Sequence, residues 1–191
     1  MKTFIENYIQ KSKETKELIL TNASIISEIE KIASVIIEAY KNGKKVLTAG
    51  NGGSAGDAQH LAAELVSKFL LERPALSAIA LTTNTSILTS VGNDYDHELV
   101  FARQISAHAN KGDVFIAIST SGESKNILRA VEEAKKRGMT VIGLTGQKAA
   151  SIDKMCDYLI KVPSAETPII QESHLMLEHL ICAIIERQMY N

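Results

Sequence analysis

The chain has 191 residues, 45% apolar and 23% charged, with a formal net charge of -1. That balance suits a globular domain with a sizeable core and lacks the basic excess on which nucleic-acid binders rely. The opening "MKTFIENYIQKSKETKELIL" is too charged for a secretory leader and no apolar run approaches a membrane span, so the expected place is the cytoplasm, away from membranes.

In chain order, residues 1–42 read as helix in two pieces. Phe4, Tyr8 and Ile9 recur at helical spacing, and so do Ile26, Ile29, Ile32, Val35, Ile36 and Ala39. Thr21 or Asn22 caps the second piece, and Gly43 ends it. These helices present apolar faces for packing or oligomerisation. From residue 43 to 191 the pattern changes to short apolar runs at 45–50, 76–81, 113–120, 140–146 and 158–162, each a buried strand. Helical candidates lie between them at 54–70, 84–91, 96–110, 124–137 and 148–155, with a long last helix over roughly 168–189. The alternation predicts a three-layer α/β sandwich around a five-stranded parallel sheet. Cys156 and Cys182 form no spaced motif and read as reduced, buried thiols.

Such sheets bind ligands beyond the carboxyl ends of their strands, and the distinctive residues follow strands. After the first comes "GNGGSAGDAQHLAAEL". Asn51, Gly52 and Gly53 let the backbone approach a ligand, and Ser54 opens a helix whose exposed amides attract anions. Gly50, Gly52 and Gly56 miss the dinucleotide spacing, and the second strand ends without a carboxylate for a ribose, which excludes a nicotinamide cofactor. After the third strand, "ISTSGESKN" sets Ser119, Thr120, Ser121 and Ser124 around Gly122 at a helix start, a phosphate cradle without a Walker lysine. His60 and Glu64 share one helical face. Asn93 and Asp94, in "SVGNDYDHE", form a polar turn in reach of sugar hydroxyls, and Gln171, His174, Glu178 and His179 interrupt the apolar last helix.

The segments "NGGSAGDAQHLAAEL", "TSVGNDY", "ISTSGES" and "IQESHLMLEHLIC" resemble, in order and spacing, the sugar isomerase (SIS) domain family, and within it the phosphoheptose isomerases. The resemblance runs over nearly the whole chain. It implies a homotetramer with shared active sites that converts D-sedoheptulose 7-phosphate into D-glycero-D-manno-heptose 7-phosphate, opening the route to nucleotide-activated heptoses for lipopolysaccharide or capsule. Carried onto this sequence, Asn51, Gly52, Gly53, Ser54, Glu64, Asn93, Asp94, Ser119, Thr120, Ser121, Ser124 and Gln171 contact the substrate. His60, Glu64, Gln171 and His179 surround one Zn²⁺ per subunit, and Glu64 and His179 transfer protons. One departure is Pro168 and Ile169, where family members often carry polar residues before "IQE", which bears on substrate preference.

The chemistry fits these residues. An aldose–ketose isomerase needs a base over the C1–C2 bond, a proton donor for the carbonyl oxygen and a grip on the phosphate. Glu64 suits the first role and His179 the second. A relative of the same fold, the initiator-associating regulator of chromosome replication, acts by protein contacts, and such a binder has no need of all four of His60, Glu64, Gln171 and His179. An isomerase of another ketose phosphate is a third reading. Within one straight helix, Gln171 and His179 lie about 12 Å apart, too far for one ion. Either they reach a given site from different subunits or Gln171 precedes the regular helix.

Overall fold

Asn22 breaks what would otherwise be one long N-terminal helix. In the computed structural model, which describes residues 1–190, α1 spans Lys2–Thr21 and α2 spans Ala23–Lys41. The Asn22 side chain accepts hydrogen bonds from the Ser24 and Ile25 amides, so of the two capping candidates Asn22 is the cap. Gly43, at φ +66°, turns the chain out of α2.

The sheet contains β1 (Val46–Ala49), β2 (Ala78–Ala80), β3 (Val114–Ile118), β4 (Thr140–Gly146) and β5 (Tyr158–Val162), all parallel, in the order β2-β1-β3-β4-β5. Its central strands are apolar on both faces because both are covered. Val114, Ile116 and Ile118 pack with α2, α3 (Gly53–Val66) and α7 (Thr167–Tyr190). Phe115 and Ala117, between them in sequence, pack with α4 (Thr85–Asp94), α5 (Val100–His108) and α6 (Lys125–Lys136). This is the expected three-layer sandwich. Both cysteines are free, and burial pushes both thiols up to about 12, which leaves them inert.

Four segments differ from the sequence expectation, the first being the helix expected over 54–70, which stops at Val66, where the Arg73 guanidinium takes the Glu64 and Leu65 carbonyls. Residues 148–155 form only a 3₁₀ turn, Ser151–Lys154. The Ile152 amide donates to the Gly122 carbonyl and the Ala150 amide to the Asp153 carboxylate, which pins this stretch beneath the serine loop before a helix can propagate. The helix expected over 84–91 runs on to Asp94, because buried Val91 anchors its last turn; Asn93 and Asp94 are helical rather than a loop. Residues 96–110 divide into a 3₁₀ turn, His97–Leu99, capped by Asp96, and α5.

From β1 the chain steps outward to β2, then crosses back over β1 to β3. The strand order therefore reverses between β1 and β3, and the crevice above that point is where a parallel sheet of this kind receives a ligand.

Candidate active site

Two helix N-termini open onto that crevice, and neither is capped by a side chain. At α3 the N-cap is Gly52, with φ +55°. At α6 it is Ser124, whose hydroxyl lies 3.2 Å from the Ser119 hydroxyl. By contrast, α2 and α4 close their own ends with Asn22 and Asn84. Open first-turn amides with the positive end of the helix dipole behind them form an anion seat. Within the serine loop, Ser119 accepts the Gly122 amide at 3.1 Å and Ser121 the Glu123 amide at 3.2 Å. Gly122, at φ +67°, makes this turn; a Cβ there would sit 2.6 Å from that of Ala150. A cavity of about 240 Å³ lies beside the loop, lined by Thr120, Ser121, Gly146, Lys148, Ser164 and Thr167 among others.

The glycine loop is tied to the serine loop. The carboxamides of Asn51 and Asn126 exchange two hydrogen bonds of 2.8 Å, and Asn126 also lies 3.4 Å from Nε2 of His97. Asn126 is buried in the first turn of α6, so one amide pair locks the two anion-binding loops together.

His60, Glu64 and His179 meet between α3 and α7. Nε2 of His60 lies 2.8 Å from Nε2 of His179 and 3.3 Å from Oε1 of Glu64. One ligand atom from each of His60, Glu64 and His179 lies within 4.8 Å of the others, a group able to hold a metal ion. For a tetrahedral ion at about 2 Å the ligand atoms stand roughly 3.3 Å apart, so the donor set fits with a slight parting of the two imidazoles. The Phe69 ring stacks on His179, with centroids 5.2 Å apart.

Gln171 does not join them. It is helical, inside α7, which removes the alternative that it precedes the regular helix. Its side chain covers Gly53, where a Cβ would lie 2.5 Å from the amide nitrogen. The Gly53–Gln171 and His60–His179 contacts show that α3 and α7 run side by side in the same direction. Within one chain, Gln171 thus belongs to the glycine loop, about 10 Å along α3 from His60. Asn93 and Asp94 lie exposed at the end of α4, hydrogen-bonded to each other at 2.8 Å. Ser54 is buried in the first turn of α3.

Comparison with known proteins decides the family. The SIS domain model matches residues 7–146. The phosphoheptose isomerase of Aneurinibacillus thermoaerophilus is 51% identical over 190 residues, covering 100% of this chain and 96% of the relative. That of Clostridium acetobutylicum is 52% identical, covering 100% and 97%. The structure of phosphoheptose isomerase GmhA from Neisseria gonorrhoeae superposes with a TM-score of 0.91 at 38% identity, over 97% of this chain and 98% of that one. The chain belongs to the SIS-domain phosphoheptose isomerases. The replication-regulator alternative is not favoured by any of these matches.

Around the site the isomerase buries several ionisable groups, of which the sequence pattern marks Glu178 and His174 but not Arg73 or Glu186. Arg73 and Glu186 form an ion pair of 2.9 Å, each side chain 1% exposed. Glu178 is buried beside His179 with no hydrogen-bond partner on either oxygen among the described residues. Burial, followed by the charge of Asp57, pushes its carboxyl up to about 9. His174 is a core residue rather than a ligand: its Nε2 lies 3.3 Å from the Thr145 carbonyl, and burial lowers it to about 4. In the isomerase, Ser121→Ala is expected to raise KM about tenfold, the worth of one phosphate hydrogen bond, with kcat little changed. Steady-state kinetics check this, and an unchanged KM would count against the serine cradle.

Proposed function

We propose that this isomerase converts D-sedoheptulose 7-phosphate into D-glycero-D-manno-heptose 7-phosphate, the entry to nucleotide-activated heptoses for lipopolysaccharide or capsule. The observation that carries this reading is the meeting of Glu64 and His179, distant in sequence, in a chain that also presents two open helix ends suited to a phosphate.

In the ketose-to-aldose direction the serine loop and the α6 amides hold the phosphate, and Asn51 with the Gly52–Gly53 backbone holds the sugar. Glu64 takes a proton from C1 as the imidazole of His179 gives one to the C2 oxygen, which leaves an enediol. The O1 proton then departs to the imidazole and Glu64 returns its proton to C2, so the aldehyde forms at C1 and both groups end as they began. Asn93 and Asp94 are assigned to sugar hydroxyls. His60, Glu64 and His179 would hold a Zn²⁺ ion, which when bound polarises the carbonyl oxygen.

The separation of Gln171 from His60 supports a site completed across subunits, with Gln171 of one copy reaching the ligand group of another. Exposed Phe4, Ile5, Ile9 and Leu18 on α1 and Leu180 on α7 support burial between copies in a homotetramer. Among the described residues no helix is long and apolar enough to cross a membrane.

Purified protein incubated with sedoheptulose 7-phosphate is expected to form the aldose, to lose that activity with a chelator and to regain it with Zn²⁺. No aldose under any condition would remove the substrate assignment. Full turnover by metal-free protein would remove the metal and leave the isomerase standing, and a fully active monomer would remove the shared site.

A further inference from the structure

One buried ion pair governs three parts of the site at once. The Glu186 carboxylate, two helical turns beyond His179 on α7, accepts three consecutive backbone amides: Phe69 at 2.8 Å, Leu70 at 2.8 Å and Leu71 at 2.9 Å. It also accepts Nε of Arg73 at 2.9 Å. The same guanidinium donates to the carbonyls of Glu64 at 2.7 Å and Leu65 at 2.9 Å, closing the carboxyl end of α3. The residues from Ser67 to Arg73 form no helix or strand, so these bonds replace the regular structure the segment lacks.

What the loop delivers is the ring of Phe69. It lies against His179 at a centroid distance of 5.2 Å and an interplanar angle of 30°. His179 is only partly buried, and two rings pack against its imidazole, Phe69 and, at a centroid distance of 5.0 Å, His60. We propose that Phe69 is a positioning residue of the isomerase, a ring clamped by the Glu186–Arg73 pair that sets the plane of the His179 imidazole and aims its Nε2 at the point shared with His60 and Glu64. Because Arg73 also holds the end of α3, one clamp keeps both halves of the acid–base group in register. Covering one imidazole face with an aromatic ring leaves the nitrogens free while removing rotation out of the plane. The inference rests on the assignment of His179 to the reacting site.

The test uses the full chain and Co²⁺ as a spectroscopic probe. Phe69→Leu is expected to bind Co²⁺ about tenfold more weakly and to lose about tenfold in kcat, with KM within twofold and a melting temperature near that of the parent. Phe69→Tyr keeps the ring and is expected to restore both. Equal behaviour of Phe69→Leu and the parent in both readouts would overturn the proposal, as would a Phe69→Tyr protein no better than Phe69→Leu. Should Phe69→Leu fail to melt cooperatively, Glu186→Gln tests the clamp: parental Co²⁺ affinity and kcat in that folded variant would overturn it too. A parent protein that takes up no Co²⁺ would remove the metal reading alone, with the kcat comparison still deciding on Phe69. Full kcat in His179→Ala would remove the assignment on which the inference stands.

Discussion

Glu64→Gln is expected to lower kcat by about a thousandfold, the scale of a lost general base, while the chain folds and assembles as before. Glutamine keeps the shape of the side chain and its place 3.3 Å from His60, and removes the capacity to take the carbon-bound proton together with the carboxylate charge offered to a metal ion. The stability cost is small because the His60–Glu64 contact is partly open to solvent, at 43% and 23% for the two side chains, and such screened pairs contribute little. Turnover of sedoheptulose 7-phosphate, a thermal melt and size-exclusion chromatography on the same sample separate the two effects. Near-parental kcat would exclude Glu64 as the base and shift the proton transfer to the imidazoles.

Glu178→Leu is expected to raise stability, by about 5 kcal/mol at pH 8, because a buried carboxyl without partners that must keep its proton is replaced by an apolar group of similar volume. For a chain of this size that corresponds to roughly 15 °C in melting temperature. The pH dependence gives a sharper test. The folded protein keeps the Glu178 proton up to about 9, while the unfolded chain releases it near the ordinary 4.5. Between those values the unfolded state binds fewer protons, so this group makes the parent progressively less stable as pH rises from about 4.5 towards 9. The variant lacks that slope. Melts at pH 5, 7 and 9 are expected to converge at the acid end and separate at the alkaline end. Parallel curves would show that Glu178 is not held as a buried acid.

Local pattern carried much of the fold. The strands were legible because each is a short apolar run between glycines and polar turns, and α6 because Ile127, Val131 and Ala134 mark one face. The two anion-binding loops were legible for the same reason: glycines and serines follow strands where a parallel sheet opens. The meeting of His60, Glu64 and His179 is of another kind. It depends on α3 and α7 lying side by side in parallel, which no local pattern states, and it came from the family resemblance. Arg73, Glu186 and Phe69 stayed hidden because their roles exist only once a loop folds over the end of α7. Asn126 and His97 carry no local signal, since the link of Asn126 to Asn51 spans 75 positions. The expected helix over 148–155 failed because tertiary bonds to Gly122 overrode its propensity.

The reciprocal carboxamide bonds between Asn51 and Asn126 join the glycine loop and the serine loop into one body. The two open helix ends therefore keep a fixed spacing and orientation toward one another, whatever occupies the crevice between them.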